Sequence, residues 1–186
     1  MNASHTPTIL IVPGLRDHVE DHWQTILEKK LPNTCSVPPL EHNKLSRAAR
    51  VEALEKVLSH IEGPVILVAH SAGVMITVHW AQQYRRPLQG ALLVTPADLE
   101  SPIPAGYPTT DALRDNGWLP IPRTRLPFTS MVVASTNDPL GRIERVTQLA
   151  KEWGSTIINA GAVGHLNPAA GFGAWSEAEN LIRELC

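Results

Sequence analysis

The chain has 186 residues, enough for one domain with a substantial apolar core spanning residues 1–186. Sixteen Lys and Arg against eighteen Asp and Glu leave a formal net charge of −2, and no Lys/Arg cluster follows one face or segment. Neither a nucleic-acid nor an anionic-membrane partner is expected. The N-terminal residues hold no basic region leading into a long apolar run, and residues 9–12 are too short for a signal peptide or a membrane span, so a cytoplasmic protein is expected. The two cysteines, Cys35 and Cys186, fall in no CxxC or Cys/His spacing and are expected to be reduced thiols, with no metal bound.

A strand at residues 8–12 opens the chain. Residues 17–31 follow with helical periodicity, Val19, Trp23, Ile26 and Leu27 sharing one face. A second strand, 34–38, leads to a helix within 46–61 whose stripe is Val51, Leu54, Leu58 and Ile61. The strand at 65–69 is followed by a more apolar helical segment, 72–84, and then by a strand at 91–95. After strand 130–135 comes a helix with Ile143, Val146, Ala150 and Trp153 on one side, then strand 156–159. The last helix carries Ala178, Leu181, Ile182 and Leu185, with Ser176 and Glu179 at capping-box spacing. Most strands lack polar alternation, as strands buried on both faces do. Alternating βα units of this kind predict an α/β fold, an open parallel sheet with helices on both faces.

Residues 97–128 break the rhythm with Pro102, Pro104, Pro108, Pro120, Pro122 and Pro127. A connection of this length is commonly functional. Its Tyr107, Trp118, Ile121 and Phe128 must pack on something, which suggests a cap over a site or, failing that, a loop patching the sheet edge. A short helix fits at 110–116.

The stretch Ala69-His70-Ser71-Ala72-Gly73 lies between a buried strand and a helix. That is the setting of the G-x-S-x-G nucleophile elbow, in which a tight turn lifts a serine hydroxyl above the sheet and small residues two before and two after let strand and helix approach. Ala69 departs from the strict pattern by one methyl group. Ser71 is thus the candidate nucleophile, against the plain alternative of a serine capping a helix. His70, adjacent on so sharp a turn, points away and is read as structural.

A serine hydroxyl needs a base, and the base an orienting carboxylate. In α/β-hydrolases the chain order is Ser, Asp or Glu, His. Of the eight histidines, His165 lies well downstream, on a Gly-flanked loop after the last strand. His79 sits about two turns inside the nucleophile helix. Asp138, in the turn Asn137-Asp138-Pro139 after strand 130–135, is the candidate acid. Its plain alternative is an Asx turn, and Asp98 is the fallback acid. Two N–H groups should hold the oxyanion: that of Ala72, and that of Leu15 in the loop after the first strand, where Gly14 allows the turn. Tyr107, Trp118 and Phe128 would favour an apolar acyl or aryl group.

The chain resembles the small serine hydrolases related to retinoblastoma-binding protein 9. The matching residues are Pro13-Gly14 with His22-Trp23, the Ser71 turn, Asn137-Asp138-Pro139, and Gly164-His165-Leu166-Asn167 with Gly171, Gly173 and Trp175. The resemblance implies an α/β-hydrolase fold with six parallel strands in the order 2-1-3-4-5-6, the triad Ser71, Asp138 and His165, and no cofactor. It implies little about substrate. Leu-x-Cys-x-Glu, the retinoblastoma-binding motif, does not occur, so no specific protein partner is expected. The reading is a hydrolase of small carboxylic esters, thioesters or amides; the alternatives are a non-catalytic interaction module on the same scaffold and an acyltransferase.

Overall fold

The computed structural model describes residues 6–186. Its centre is a sheet of six parallel strands, ordered β2-β1-β3-β4-β5-β6. The strands are β1 (Thr8–Val12), β2 (Thr34–Ser36), β3 (Val65–His70), β4 (Gly90–Val94), β5 (Ser130–Ala134) and β6 (Thr156–Asn159). The helices are α1 (Trp23–Lys30), α2 (Arg47–Leu58), α3 (Ala72–Gln83), α4 (Thr110–Asp115), α5 (Ile143–Trp153) and α6 (Glu177–Glu184), with a short 3₁₀ turn at Pro168–Ala170.

The apolar runs of β1, β3, β4 and β5 serve both faces at once, because alternate side chains point to opposite sides of a strand. Leu10, Leu67, Leu93 and Val132 join one core, with Leu54 of α2, Trp80 of α3 and Leu149 of α5. Ile11, Val68, Leu92 and Val133 join the other, with Trp23 and Leu27 of α1 and Leu181 and Ile182 of α6. The chain steps from β1 to β2 in one direction and from β2 to β3 in the other. Right-handed crossovers therefore put α1 and α2 on opposite faces. The reversal opens a crevice at the carboxyl ends of β1 and β3, the place where open α/β sheets bind ligands. β6 differs from the inner strands: it is the sheet edge, and Ile157 is exposed.

Two expected helix starts are corrected. α1 begins at Trp23 rather than near Asp17, because Asp17 adopts a positive φ of 56° and the His22 ring, accepting from Gln24 N–H at 3.1 Å, caps the helix. Ser176 precedes α6 but makes no side-chain capping bond; its backbone is already helical, so the capping box does not form.

The proline-rich segment divides in two. Leu99, Ile103 and Tyr107, with Leu113 of α4, face a cavity above the sheet. Trp118, Ile121 and Leu126 are buried in the core. Trp118 is fully buried; its Nε1–H donates to Leu45 O at 2.7 Å, and its carbonyl accepts from His79 Nε2 at 3.1 Å. Arg145 of α5 adds ion pairs to Asp98 at 3.0 Å and to Glu100 at 2.7 Å. Among the described residues no helix is long and apolar enough to cross a membrane. Trp118→Ala should therefore cost about 3–5 kcal/mol in urea unfolding, and Phe128→Ala, at a half-buried position, clearly less. Equal costs would show that the segment is not pinned through Trp118.

Candidate active site

β3 runs straight into α3 through one residue. Ser71 takes φ 57° and ψ −122°, a left-handed conformation that a non-glycine residue holds only where its surroundings enforce it. Enforcement comes from both sides. Its N–H donates to Val94 O at 3.0 Å, continuing the β3–β4 ladder, and α3 packs back at once. At Gly73 a Cβ would lie 2.1 Å from Val12 O, so only glycine allows the helix to sit on the end of β1. Ala69 fits its extra methyl group into the core, where it is fully buried.

The loops after β5 and β6 deliver two further side chains to this turn. Ser71 O–H donates to His165 Nε2 at 2.8 Å. His165 Nδ1–H donates to Asp138 Oδ1 at 2.9 Å and Oδ2 at 3.0 Å. An ionised carboxylate only accepts, so the proton sits on Nδ1 and leaves Nε2 free to accept from the serine. The His165 and Asp138 side chains are 6% and 1% exposed. Leu140 N–H also donates to Asp138 Oδ1, at 2.9 Å. The two loops are tied by a residue that the sequence presented only as part of a turn: Asn137 Oδ1 accepts from Gly164 N–H at 2.7 Å. Asp98 is turned away from this chain. Burial opposes its charge, but hydrogen bonds from Arg145 and Ser101 hold its carboxyl below the ordinary range.

Three histidines form a column behind the serine. The His70 ring lies 4.9 Å from that of His165 and 4.6 Å from that of His22. His70 Nε2–H donates to the His165 carbonyl at 2.8 Å, and Thr95 Oγ1–H reaches the same oxygen at 3.4 Å. His70 is thus structural in a specific sense: it fixes the backbone of His165. Burial, reinforced by nearby His165, pushes His22 down to about 4 and His70 well below its ordinary value.

These residues line a cavity of about 450 Å³ whose floor includes Gly14, Ser71, Ala72 and His165. Leu15, Leu99, Ile103, Tyr107, Leu113 and Leu140 contribute to its walls. A Cβ at Gly14 would stand 3.5 Å from Ser71 Cβ and 3.8 Å from Ala72 N, so the loop carrying Leu15 runs directly beside the first turn of α3. Of the three aromatic residues expected at the pocket, Tyr107 lines it. Trp118 and Phe128 pack on the core instead. Among the described residues no group of three or more His, Cys, Asp or Glu is arranged to hold a metal ion.

A parallel sheet of this order, with a serine held at positive φ between its third strand and the following helix, defines an α/β-hydrolase. Within that class the chain belongs to the serine hydrolase family, which it matches over residues 9–184. It is similar to a YdeN-like protein from Pectobacterium atrosepticum, with 30% identity, 98% of this chain and 91% of that one covered, and a TM-score of 0.83. The fold is shared with the ydeN gene product of Bacillus subtilis (18% identity, 97% and 98% covered, TM-score 0.72). Est1E from Butyrivibrio proteoclasticus shares it too (11% identity, 99% and 90% covered, TM-score 0.71). No curated protein matches the chain.

The neutral histidines give stability a pH dependence. Burial pushes both His22 and His79 from 6.5 to about 4. In the unfolded chain they take up protons near 6.5; in the folded chain they resist to about 4. The unfolded state therefore binds more protons in between, and stability, full above the upper value, falls as pH drops through that window. Each group contributes on the order of 3 kcal/mol. His22→Asn keeps a capping acceptor and removes one titrating group, so the slope of unfolding free energy against pH should become shallower. An unchanged slope would exclude His22 as a source.

Proposed function

We propose that this protein is a cytoplasmic serine esterase, allied to the small hydrolases related to retinoblastoma-binding protein 9, that cleaves carboxylic esters, thioesters or amides of apolar acyl groups. The reading is carried by the unbroken hydrogen-bonded chain from Ser71 Oγ through His165 to Asp138, which opens onto a largely apolar cavity.

Ser71 Oγ attacks the acyl carbon as its proton passes to His165 Nε2. Asp138 keeps the ring oriented and stabilises the imidazolium. The oxyanion accepts from the N–H groups of Leu15 and Ala72; the first residues of a helix have no intrahelical partner for their N–H, which leaves the Ala72 group free for this task. The tetrahedral species collapses by breaking the bond to the leaving group, which takes the proton from His165. Water then attacks the acyl-enzyme, its proton passing to His165 and from there to Ser71 Oγ as the acid departs. Esters are favoured over amides because an alcohol leaves with less help from protonation than an amine.

A fluorophosphonate probe should label the wild-type protein and not Ser71→Ala. Asp138→Asn should lower kcat on para-nitrophenyl esters by roughly 10³–10⁴-fold. Failure of the folded wild type to react would refute the reading; equal labelling of Ser71→Ala would move the nucleophile elsewhere.

A further inference from the structure

We infer that the substrate carries a carboxylate in addition to its apolar acyl portion, and that Arg16 and Lys44 receive it at the mouth of the cavity. This rests on the serine-hydrolase reading above. Among the described residues Arg16 and Lys44 are the two Lys or Arg side chains of the lining, in a chain whose net charge is −2. The one lining carboxylate among the described residues, Asp17, is already paired with buried Arg50. Among the described residues neither Arg16 nor Lys44 forms an ion pair. Burial holds the lining residues His22 and His70 neutral. Among the described residues the cavity thus presents two unpaired positive charges, both on exposed side chains, beside otherwise largely apolar walls, and they attract an entering anion.

The two charges stand on backbone that one group organises. Arg50 is 5% exposed and reaches both loops: its Nε donates to Lys44 O at 2.8 Å and its Nη2 to Leu15 O at 3.3 Å, while its Nη1 pairs with Asp17. A guanidinium held in this way fixes the segment before Arg16 and the turn bearing Lys44 relative to each other. The Arg16 guanidinium is seated over the Tyr107 ring, 5.7 Å from its centroid, which turns it toward the proline-rich segment. A carboxylate between Arg16 and Lys44 would complete an arrangement whose own acid is spent on Arg50.

The test compares esters matched in length. The para-nitrophenyl monoester of adipic acid is set against para-nitrophenyl hexanoate, placing the charge on the acyl side. The hexanoate ester of para-hydroxybenzoate is set against that of para-hydroxybenzamide, placing it on the leaving group. In at least one pair the wild type should prefer the anionic member. In Arg16→Gln/Lys44→Gln the ratio of kcat/KM for anionic over neutral ester should fall about five- to tenfold, and high salt should reduce the wild-type ratio similarly. Equal or better hydrolysis of the neutral member in both pairs, or a ratio indifferent to the double substitution, would overturn the inference while leaving the hydrolase reading intact. Absence of any ester hydrolysis together with absence of fluorophosphonate labelling would overturn both.

Discussion

The site depends on one close approach. The backbone at Gly73 lies so near the end of β1 that a methyl group there would sit 2.1 Å from Val12 O and 2.9 Å from Pro13 O. Because α3 rests on β1 at this distance, the loop leaving β1 has to pass the first turn of α3, and so passes Ser71. The same contact leaves the chain one residue in which to turn from β3 into α3, and Ser71 absorbs the turn at positive φ. Such a conformation costs about 1–3 kcal/mol. The fully buried strand before it and the buried helix after it offset that cost. Elbow and adjoining loop are thus two consequences of a single packing distance.

The sheet carries this constraint outward. β4 accepts the Ser71 N–H, β5 leads to the loop of Asp138, and β6 leads to the loop of His165. Parallel strands in sequential register from β3 to β6 end on the same side. Residues far apart in the chain therefore meet above one edge. The cross-loop bond from Gly164 to Asn137 sets the approach of His165 to Asp138, and the hydrogen bond from His70 to the His165 carbonyl sets its approach to the serine.

The strands and the turn at Ser71 are legible in the sequence because each rests on a local rule, whereas the strand order is not local and comes with the family resemblance. Apolar runs mark doubly covered strands, and a small residue two places after the serine marks a close contact. Where the sequence misleads, two environments ask for the same residue type. Val19 keeps helical spacing with Trp23, yet it lines the cavity ahead of the helix. Trp118 is as suited to a core as to a pocket wall, and its indole N–H finds a carbonyl in the core. Asp98 and Asp138 both follow strands; Arg145, 47 positions from Asp98, decides between them, and no local pattern announces that pair. The role of His70 is hidden for the same reason, since its partner lies 95 residues away.

The histidine column also answers an electrostatic demand of the proposed reaction. His165 must become cationic each time Ser71 gives up its proton, in a place where it is almost fully buried. A second cation nearby would oppose that step, and charge repulsion at short range in such surroundings is large. His70 lies in ring contact with His165, and His22 with His70, but the first is desolvated and the second accepts the Gln24 N–H through Nδ1, so neither readily takes a proton. Among the described residues the only charged side chain bonded to His165 is Asp138. Packing aromatic rings that hold no charge around the base shields it from water without competing for the proton, which phenylalanine would also do. Histidine adds what phenylalanine lacks, a donor for the His165 carbonyl at one position and an acceptor for the start of α1 at the other.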